Sequence, residues 1–304
     1  MHPSIPLTTF LAAKATAECS RVFLRNTTTN YIDAQKQGLY TGLTALRENT
    51  TYTEQFKPAS ISSGILSKPL KIDHSRSIHD PVRCTTFTEI IVTDKAHPYV
   101  IATRMETDGA YITKIESLVS DAGDWLFNAT GYAYYNSLEN WDAIPQLQLD
   151  QPEVIKAAGD AYFNRFADVN VTVPYGTPCA RLEGGAYTDS RLTGNNTCNL
   201  GLPSNVTVVD RRYVVDEEMG AVNIFLGFPG LDRDSPEPAP DSHTFRVVKG
   251  EIRYIHTVST CEGHPGCGLN GTFVPTRRRN PNIVDVEIKR GRELSMIGVT
   301  FSFQ

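Results

Sequence analysis

The amino-acid sequence predicts an α+β protein that is built from two similar halves. Each half begins with one helical segment and continues into short strands that end in two hairpins. The two halves are also weakly similar in sequence. Ile112–Ser120 (ITKIESLVS) aligns with Ile252–Thr260 (IRYIHTVST), and Asn30–Gly42 aligns with Ala161–Val173. Two weak matches in the same order indicate an internal duplication.

The first half contains one predicted helix and several predicted strands. The helix covers Phe23–Leu46, and an extended stretch follows at Thr51–Gln55. Residues Pro69–Pro81 (PLKIDHSRSIHDP) are polar and bounded by prolines, which predicts a loop or a short capped turn. Runs of β-branched and aromatic residues then predict three strands, at Thr85–Thr93, Tyr99–Thr107 and Tyr111–Ser120.

The second half follows an aromatic-rich connector, residues 123–150. A helix is predicted at Gln151–Asp168, because Pro152 suits the first turn and one apolar stripe has helical spacing. The residues of that stripe are Ile155, Ala158, Tyr162 and Phe166. Strands are then predicted at Cys179–Glu183, Arg211–Val215 and Val222–Phe228.

The clearest single motif is Asp241–Thr260, which predicts a hairpin that turns at Lys249-Gly250. Pairing outward from that turn places His243 opposite His256. Alternation then predicts one largely apolar face that carries both histidines, made of His243, Phe245, Val247, Ile252, Tyr254 and His256. A shift of one residue would reverse the faces, so this register depends on the turn.

Composition narrows the class of protein. The chain has 304 residues, 40% hydrophobic and 21% charged, as expected for a globular protein of about two domains. A net charge of −5 argues against a nucleic-acid partner. The short basic cluster Arg277–Arg279 is interpreted as a solvated loop, and no segment is apolar enough to predict a membrane span.

Several features predict a secreted glycoprotein. Residues 1–17 end in a small-X-small site at Ala15 and Ala17 and are interpreted as a leader, which sets the domains at 18–122 and 151–304 on either side of the connector. Seven Asn-X-Ser/Thr sequons are spread along the chain, at Asn26, Asn49, Asn128, Asn170, Asn195, Asn205 and Asn270.

The six cysteines are even in number, which in an oxidising compartment favours disulfides over a metal site. Cys261-X5-Cys267 encloses His264, but zinc sites more often repeat a shorter spacing twice. Connectivity cannot be derived from sequence. The working hypothesis pairs Cys261 with Cys267, Cys179 with Cys198, and Cys19 with Cys84.

A leading helix followed by a curved sheet with long hairpins resembles the NTF2-like, or SnoaL-like, α+β fold. Residues Arg211–Phe228, followed by the hairpin, resemble the second half of SnoaL-like proteins of unknown function. Four other segments are similar to a largely uncharacterised family of secreted fungal proteins: Lys71–Asp80, Gly123–Trp141, Pro178–Thr188 and Arg253–Cys261. The resemblance implies two tandem cone-shaped domains, each a curved antiparallel sheet wrapped on a helix. It also raises the hypothesis of a natural-product cyclase, such as a hetero-Diels–Alderase, although this fold hosts many functions.

In such a fold the concave face of the sheet encloses an apolar pocket with a few polar groups. The predicted register places His243, His256 and Tyr254 as catalytic candidates in the second half. Arg181 and Glu183 can enter from the short strand, with Phe245 and Ile252 as apolar wall. A histidine pair can divide acid and base roles. The alternative is that both histidines are satisfied core or rim residues.

The first half concentrates polar chemistry in Asp73, His74 and Arg76, with His79 close behind. An arginine between two Asp–His neighbours can bind an anionic or enolic oxygen and hold a base, although Asp beside Ser is often only turn chemistry. By the repeat, Lys114 and Glu116 match Tyr254 and His256. They are expected to line the first pocket or to form an exposed ion pair.

Phosphate loops, nucleophile elbows and dinucleotide fingerprints are all absent from the sequence, so the predicted chemistry needs no cofactor and no metal. The leading hypothesis is a cyclase, isomerase or pericyclase that acts on a hydrophobic natural product. The alternatives are a secreted small-molecule binder without turnover and a structural protein whose pockets are filled by side chains. A homodimer is a further hypothesis.

Overall fold

The computed structural model describes residues 19–261 and 263–268 with side chains, and four short strands between residues 273 and 301 as backbone. The protein has a mixed α+β fold with two six-stranded sheets and three α-helices in this part of the chain. The predicted leader, the sequon at Asn270 and the side chains of the basic cluster at Arg277–Arg279 lie outside the residues described with side chains.

The first half forms one helix and one sheet. Helix α1 (Arg21–Gln37) precedes the strands β1 (Leu46–Glu54), β2 (Lys57–Pro58), β3 (His74–Asp80), β4 (Thr85–Val92), β5 (Tyr99–Thr107) and β6 (Ile112–Ser120). The strand order is β2-β1-β6-β5-β4-β3, in which only β1 and β6 run parallel.

Helix α1 ends at Gln37, nine residues before the predicted end, because Gly38 adopts a left-handed φ of 66°. Its N–H bonds the carbonyl of Gln35, and the N–H of Leu39 bonds that of Ala34. A Cβ on Gly38 would lie 2.5 Å from the backbone nitrogen of Pro69. Backbone conformation and close approach therefore both require glycine here.

The connector contains a short helix, α2 (Ala129–Asn136), that the sequence analysis did not predict. The second half then repeats the first, with helix α3 (Pro152–Ala167) and strands β7 (Tyr175–Glu183), β8 (Ala186–Tyr187), β9 (Val209–Asp216), β10 (Ala221–Phe228), β11 (Ala239–Val248) and β12 (Glu251–Ser259). The order β8-β7-β12-β11-β10-β9 is that of the first sheet, and β7 runs parallel to β12. The predicted apolar stripe of α3 is buried, as expected.

The two sheets correspond residue by residue. Cross-strand neighbours in the first sheet form the row Arg76, Glu89, Ala102 and Leu118. In the second sheet the equivalent row is Arg212, Phe225, Ser242 and Val258. This correspondence pairs Leu118 with Val258, as does the sequence alignment of the two last strands. The duplication is therefore present in strand order and in register.

The sheets pack face to face and the long helices cover their outer faces. The central layer joins Ile78 and Phe87 of the first sheet to Phe225 and Val258 of the second. The ring centroids of Phe87 and Phe225 lie 6.2 Å apart. Outside this layer, Tyr31 of α1 packs on the first sheet. On the second sheet the covering residues are Tyr162, Phe163 and Phe166 of α3.

The edge strands β3 and β9 are joined by two reciprocal hydrogen bonds. The His79 N–H donates to Asp216 Oδ2 at 2.8 Å, and the Val215 N–H donates to Asp80 Oδ2 at 2.9 Å. The correspondence above makes Asp80 equivalent to Asp216 and His79 equivalent to Val215. Each carboxylate thus satisfies a backbone donor that an edge strand would otherwise leave open.

The prediction of a loop at residues 69–81 was wrong, because residues 74–80 form strand β3. The polar residues of this strand are explained by their tertiary contacts. His74 and Arg76 point toward the boundary between the halves together with the buried Ile78, while His79 points toward α1 and bonds Thr28 Oγ1. A strand that faces charged partners does not show the apolar alternation expected from sequence.

The predicted register of the Asp241–Thr260 hairpin holds at the turn and fails beyond it. Val248 pairs with Glu251 and Val247 with Ile252, but a shift then pairs Arg246 with Tyr254. Arg253 is the extra residue of this bulge. The shift places His243 opposite Thr257 and His256 opposite Thr244. His243 and His256 therefore lie on opposite faces of the sheet, as do Phe245 and Tyr254.

Three disulfides confirm the predicted pairing: Cys19–Cys84, Cys179–Cys198 and Cys261–Cys267. Disulfides of this kind fit an extracellular protein. Five of the sequon asparagines are exposed, namely Asn26, Asn49, Asn170, Asn195 and Asn205, whereas Asn128 is half-buried as the N-cap of α2.

Among the described residues, no helix is long and apolar enough to cross a membrane.

Candidate functional site

A cleft with a volume of about 520 Å³ opens between the two halves. Strand β3 forms one wall, and the other wall comes from α2, the connector and the β9–β10 turn. Its lining residues are Asp73, His74, Ser75, Arg76, Ala133, Asn136, Ser137, Glu139, Trp141, Asp142 and Met219. We refer to this space as the interdomain cleft.

Arg76 and Trp141 form the floor of the interdomain cleft. The Arg76 guanidinium lies over the Trp141 ring, with Cζ 4.1 Å from the ring centroid. Its Nη1 donates to Glu89 Oε1 at 3.0 Å, and its Nη2 donates to Asn136 Oδ1 at 2.5 Å. These contacts fix the guanidinium from three sides.

Behind the floor, His256 lies between two carboxylates. Its Nδ1 is 3.0 Å from Glu89 Oε2, and its Nε2 is 2.6 Å from Glu139 Oε2. Tyr132 donates its hydroxyl to Glu89 Oε2 at 2.6 Å, and Trp141 donates its Nε1–H to Glu139 Oε2 at 2.8 Å. The side chains of His256 and Glu139 are each 1% exposed. This Glu89–His256–Glu139 cluster therefore joins the first sheet, the second sheet and the connector.

The cluster is ionic. Burial alone would lower the pKa of His256, but Glu139 and Glu89 outweigh it and raise that pKa to about 9. Burial opposes the charge of Glu89 as well, yet His256, Arg76 and the Tyr132 hydroxyl lower its pKa to about 2. Near neutral pH the imidazolium thus donates both of its protons to carboxylates.

His74 differs from His256 in its environment. It lies two residues before Arg76 on the same face of β3, and it is half-buried in the cleft wall. Burial lowers its pKa, and the positive charge of Arg76 lowers it further. Its Nε2 is buried and has no hydrogen-bond partner within the described part of the chain. His74 is therefore a neutral imidazole whose buried Nε2 is unpartnered among the described residues.

Of the predicted catalytic residues, the structure brings Asp73, His74 and Arg76 into the cleft wall and His256 directly behind it. Asp73 Oδ2 accepts hydrogen bonds from the N–H and hydroxyl of Thr93, so this carboxylate also ties β3 to the end of β4. Tyr254 lies beside the cluster, with its ring centroid 6.0 Å from that of Trp141.

The residues predicted to form the pocket of the second half lie mostly on the α3 side of its sheet, away from the interdomain cleft. His243 lies on the α3 side, where its Nδ1 is 2.5 Å from Asp241 Oδ1 and its ring packs on Phe163. Phe245 and Ile252 belong to the same filled core. Arg181 is buried on that side and bonds Glu183 Oε1 at 2.7 Å and two backbone carbonyls. The prediction that His243 and His256 share one pocket was wrong, because the bulge at Arg253 separates them.

Lys114, Glu116 and His79 are also placed differently from the prediction. Glu116 faces the other sheet, not α1, and it is buried between Arg104 at 2.8 Å and Arg212 at 3.2 Å. Lys114 pairs with the same carboxylate at 3.0 Å. This is a buried ion-pair network between the halves, neither a pocket lining nor an exposed pair. His79 lies on the α1 face, away from the cleft.

Sequence reasoning missed most of the cluster. Of the cluster members that were missed, Glu89 has a visible signal, because it is a lone charge inside the apolar strand TTFTEIIVT. The other missed residues come from segments without a periodic pattern or depend on tertiary packing: Tyr132, Asn136, Glu139, Trp141 and Arg246.

The equivalent location on the other side of the molecule lacks this chemistry. There Arg212 corresponds to Arg76, Phe225 to Glu89 and Glu116 to His256, by the register given above. Arg212 lies 4.5 Å from the Phe56 ring centroid and pairs with Glu116. The duplication therefore leaves an imidazole–carboxylate cluster on one side only. No group of three or more potential metal ligands is arranged to hold an ion among the described residues.

A family model described as a domain of unknown function (DUF8021) matches residues 148–259. That range starts just before α3 and ends at the last residue of β12, so it coincides with the helix and sheet of the second half. No curated protein matches the chain.

Proposed function

We propose that the protein is a cofactor-independent enzyme that moves a proton on a small carbonyl compound bound in the interdomain cleft, as an isomerase or cyclase. One observation carries the proposal. The neutral imidazole of His74, with an unpartnered Nε2, lies in the cleft wall two residues from the fixed guanidinium of Arg76.

The roles follow from charge. In the tautomer protonated at Nδ1, His74 Nε2 has a lone pair, and a rotation of the half-buried ring brings this nitrogen to the cleft. There it accepts a proton from the carbon next to a carbonyl, leaving an enolate. Arg76 stabilises the oxygen on which the negative charge develops, and its contacts to Glu89 and Asn136 hold it in place before the reaction. Return of the proton to another carbon completes an isomerisation. Attack of the enolate carbon on a second carbonyl carbon of the same molecule forms the ring bond and breaks the π bond of that carbonyl. The resulting alkoxide takes the proton back from His74, which completes a cyclisation without change of mass.

The substrate class and the family are part of this proposal. Trp141, Met219 and Ala133 give the cleft an apolar portion, which supports a hydrophobic natural product with one reactive carbonyl group. We further propose that each half is an NTF2-like domain of a secreted fungal family. The helix-covered sheet in each half and the three disulfides support this. A pericyclase of the hetero-Diels–Alderase type would use the same hydrogen-bond donors to polarise its substrate.

A small-molecule binder without turnover is the second candidate. It is favoured by the charge balance at the floor of the cleft, where Arg76 is already paired with Glu89, and Glu139 with His256. Charged groups that are satisfied by one another need no reaction to explain them.

The test uses a metabolite extract of the organism that makes the protein, with no cofactor added. An isomerase or cyclase consumes one compound and forms a product of identical mass and different chromatographic retention. We expect His74→Gln to lower that conversion by about a hundredfold, because general base catalysis contributes on that order. Native mass spectrometry of the same variant should still show the retained compound.

The matched control is His97→Gln, a substitution of an exposed histidine that stacks on Tyr99 and does not line the cleft. This variant should convert at the wild-type rate. Retention of a compound without any conversion by the wild-type protein would replace the enzyme with the binder. Conversion that is unchanged in His74→Gln would overturn the assignment of the base.

A further inference from the structure

Arg246 lies directly behind the wall of the interdomain cleft. Its Nη2 donates to the carbonyl oxygen of Asp142 at 2.7 Å, and its Nη1 donates to that of Met219. Asp142 and Met219 both line the cleft. The guanidinium carbon is 5.9 Å from the ring centroid of Trp141, whose ring also carries Arg76. Two guanidinium groups therefore approach the same aromatic side chain.

Arg246 differs from Arg76 in having no anionic partner. It is 4% exposed, and no carboxylate forms an ion pair with it in the part of the chain described with side chains. Its Nε is buried without a hydrogen-bond partner. Its hydrogen bonds go to carbonyl oxygens, and the exposed Asp142 carboxylate acts on it only through space. A buried cation without a direct ion pair is costly, so its presence in a folded protein calls for an explanation.

The buried charges around the cleft do not cancel. The cations are Arg76, Arg246 and His256, whereas the anions are Glu89 and Glu139, which leaves one positive charge in excess. The carboxylates of Asp73 and Asp142 lie at the rim, where both residues are exposed to water. Exposed charges are screened far more than buried ones, so the rim does not neutralise the interior.

We propose that the ligand of the interdomain cleft carries a single delocalised oxyanion, a carboxylate or an enolate, and that Arg246 together with Arg76 neutralises it. Arg246 would reach the ligand by exchanging a carbonyl partner for the anion, which is the stronger acceptor. This inference rests on the location of the site under the proposed function and adds its substrate class.

The experiment compares matched probes on the glycosylated, disulfide-intact protein by isothermal titration calorimetry near neutral pH. Naphthoate and naphthamide have nearly the same shape and differ by one negative charge. Dimedone, which is an enolate near neutral pH, separates the two sources of the oxyanion. We expect at least one anion to bind about tenfold or more tightly than naphthamide, as a charge-assisted hydrogen bond predicts.

Variants locate the anion. Arg246→Met should weaken binding of the anion by about tenfold or more and leave the weak binding of naphthamide unchanged, whereas Arg246→Lys should retain part of the affinity. Arg212→Met, a change at the position that corresponds to Arg76 on the other side of the molecule, should have no effect. The comparison of anion with amide on the wild-type protein needs no variant and therefore holds even if Arg246→Met does not fold.

Equal affinity for anion and amide, absence of binding by either anion, or an anion affinity that Arg246→Met leaves unchanged would each overturn the inference. His74→Gln separates this result from the proposed function, since it removes the base and keeps the cation. Arg246-dependent binding of an anion without any conversion of a metabolite supports the inference and contradicts the enzyme. Conversion of a neutral metabolite without Arg246-dependent binding of an anion supports the enzyme and contradicts the inference.

Discussion

The imidazole of His256 is the point at which both sheets and the connector meet. It bonds Glu89 of β4 and Glu139 of the connector, and the Trp141 ring packs edge-on against it with centroids 5.1 Å apart. Three ionised groups without solvent are expensive to bury, and they are tolerated because each charge has an opposite neighbour and each proton an acceptor. Removing one member leaves the others uncompensated.

The pH dependence of stability should report this cluster. The pKa of His256 rises from 6.5 to about 9, so its stabilisation is complete below pH 6.5 and is lost as pH rises through about 9. The pKa of Glu89 falls from 4.5 to about 2, so its stabilisation is present above pH 4.5 and is lost toward pH 2. The contribution of the cluster is therefore largest between these two unshifted values.

We expect His256→Gln to lower the free energy of unfolding on the order of 3 kcal/mol near pH 6, measured by urea denaturation. The difference from wild type should shrink by pH 10, because the wild-type imidazole has then lost its charge. The exposed His97→Gln variant supplies the baseline. A difference that stays constant from pH 6 to pH 10 would show that His256 stabilises by packing alone.

At the scale of elements, short-range sequence signals predicted the hairpin turn and most of the strands. Features that depend on contacts between residues distant in sequence, such as the bulge in this hairpin, were not predicted. Gly250 predicts the hairpin turn, and the turn is where predicted. The bulge that follows depends on Arg253, whose Nη1 donates to the carbonyl of Thr177 on a neighbouring strand. A Cβ on Gly176 would lie 2.5 Å from the same nitrogen. Nothing within the hairpin sequence encodes a partner 76 residues away.

Strands β6 and β12, the last strands of the two sheets, also contain a bulge that local sequence does not predict. In the first sheet the register shifts between Glu106 and Thr107, which makes Thr113 the extra residue, at the position equivalent to Arg253. The sequence alignment of β6 with β12 pairs these two residues, but threonine and arginine share no feature that marks a bulge. The prediction that His256 shares a face with His243 was thus wrong, whereas its functional role stays a prediction.

The end of α1 offers a test of close backbone approach. Gly38 and Gly230 both have a left-handed φ, of 66° and 72°, but a Cβ on Gly38 would meet the backbone of Pro69, whereas one on Gly230 would meet nothing within 4 Å. We expect Gly230→Ala to cost about 1 kcal/mol of unfolding free energy, from φ alone. Gly38→Ala should cost roughly 3 kcal/mol, since a backbone cannot move aside as a side chain can.

Chemical denaturation of the two variants beside wild type measures both values. Equal losses would mean that Pro69 and its neighbours relax without cost, and that φ alone requires glycine at the end of α1.

At the scale of the whole molecule, the duplication explains where the candidate site lies and why sequence alone did not locate it. Many elements of each half could be predicted from its own periodicities. The candidate site, by contrast, combines Arg76 of one half, His256 of the other and Trp141 of the connector. The range that the family model matches covers only part of the candidate site, because it contains His256 but neither Arg76 nor Glu89. Equivalent positions then diverged, so that Phe225 stands where Glu89 would be. A site shared between halves leaves no pattern in either half.

The reciprocal bonds of Asp80 and Asp216 predict how the halves unfold. Both carboxylates are buried and accept a backbone N–H from the opposite edge strand, and Asp216 also pairs with Arg21 at 2.7 Å. We expect Asp216→Asn to cost about 3 kcal/mol of unfolding free energy and Asp80→Asn about 1 to 2 kcal/mol, because only the first breaks an ion pair that also spans the two halves.

Differential scanning calorimetry should show one unfolding transition in wild type and a broadened or split one in the Asp80→Asn/Asp216→Asn double variant, since the halves then lose the hydrogen bonds between their edge strands. Asp73→Asn, at the exposed start of β3, should leave a single transition. A double variant that still unfolds in one sharp step would place the coupling between the halves in the apolar layer around Phe87 and Phe225 instead.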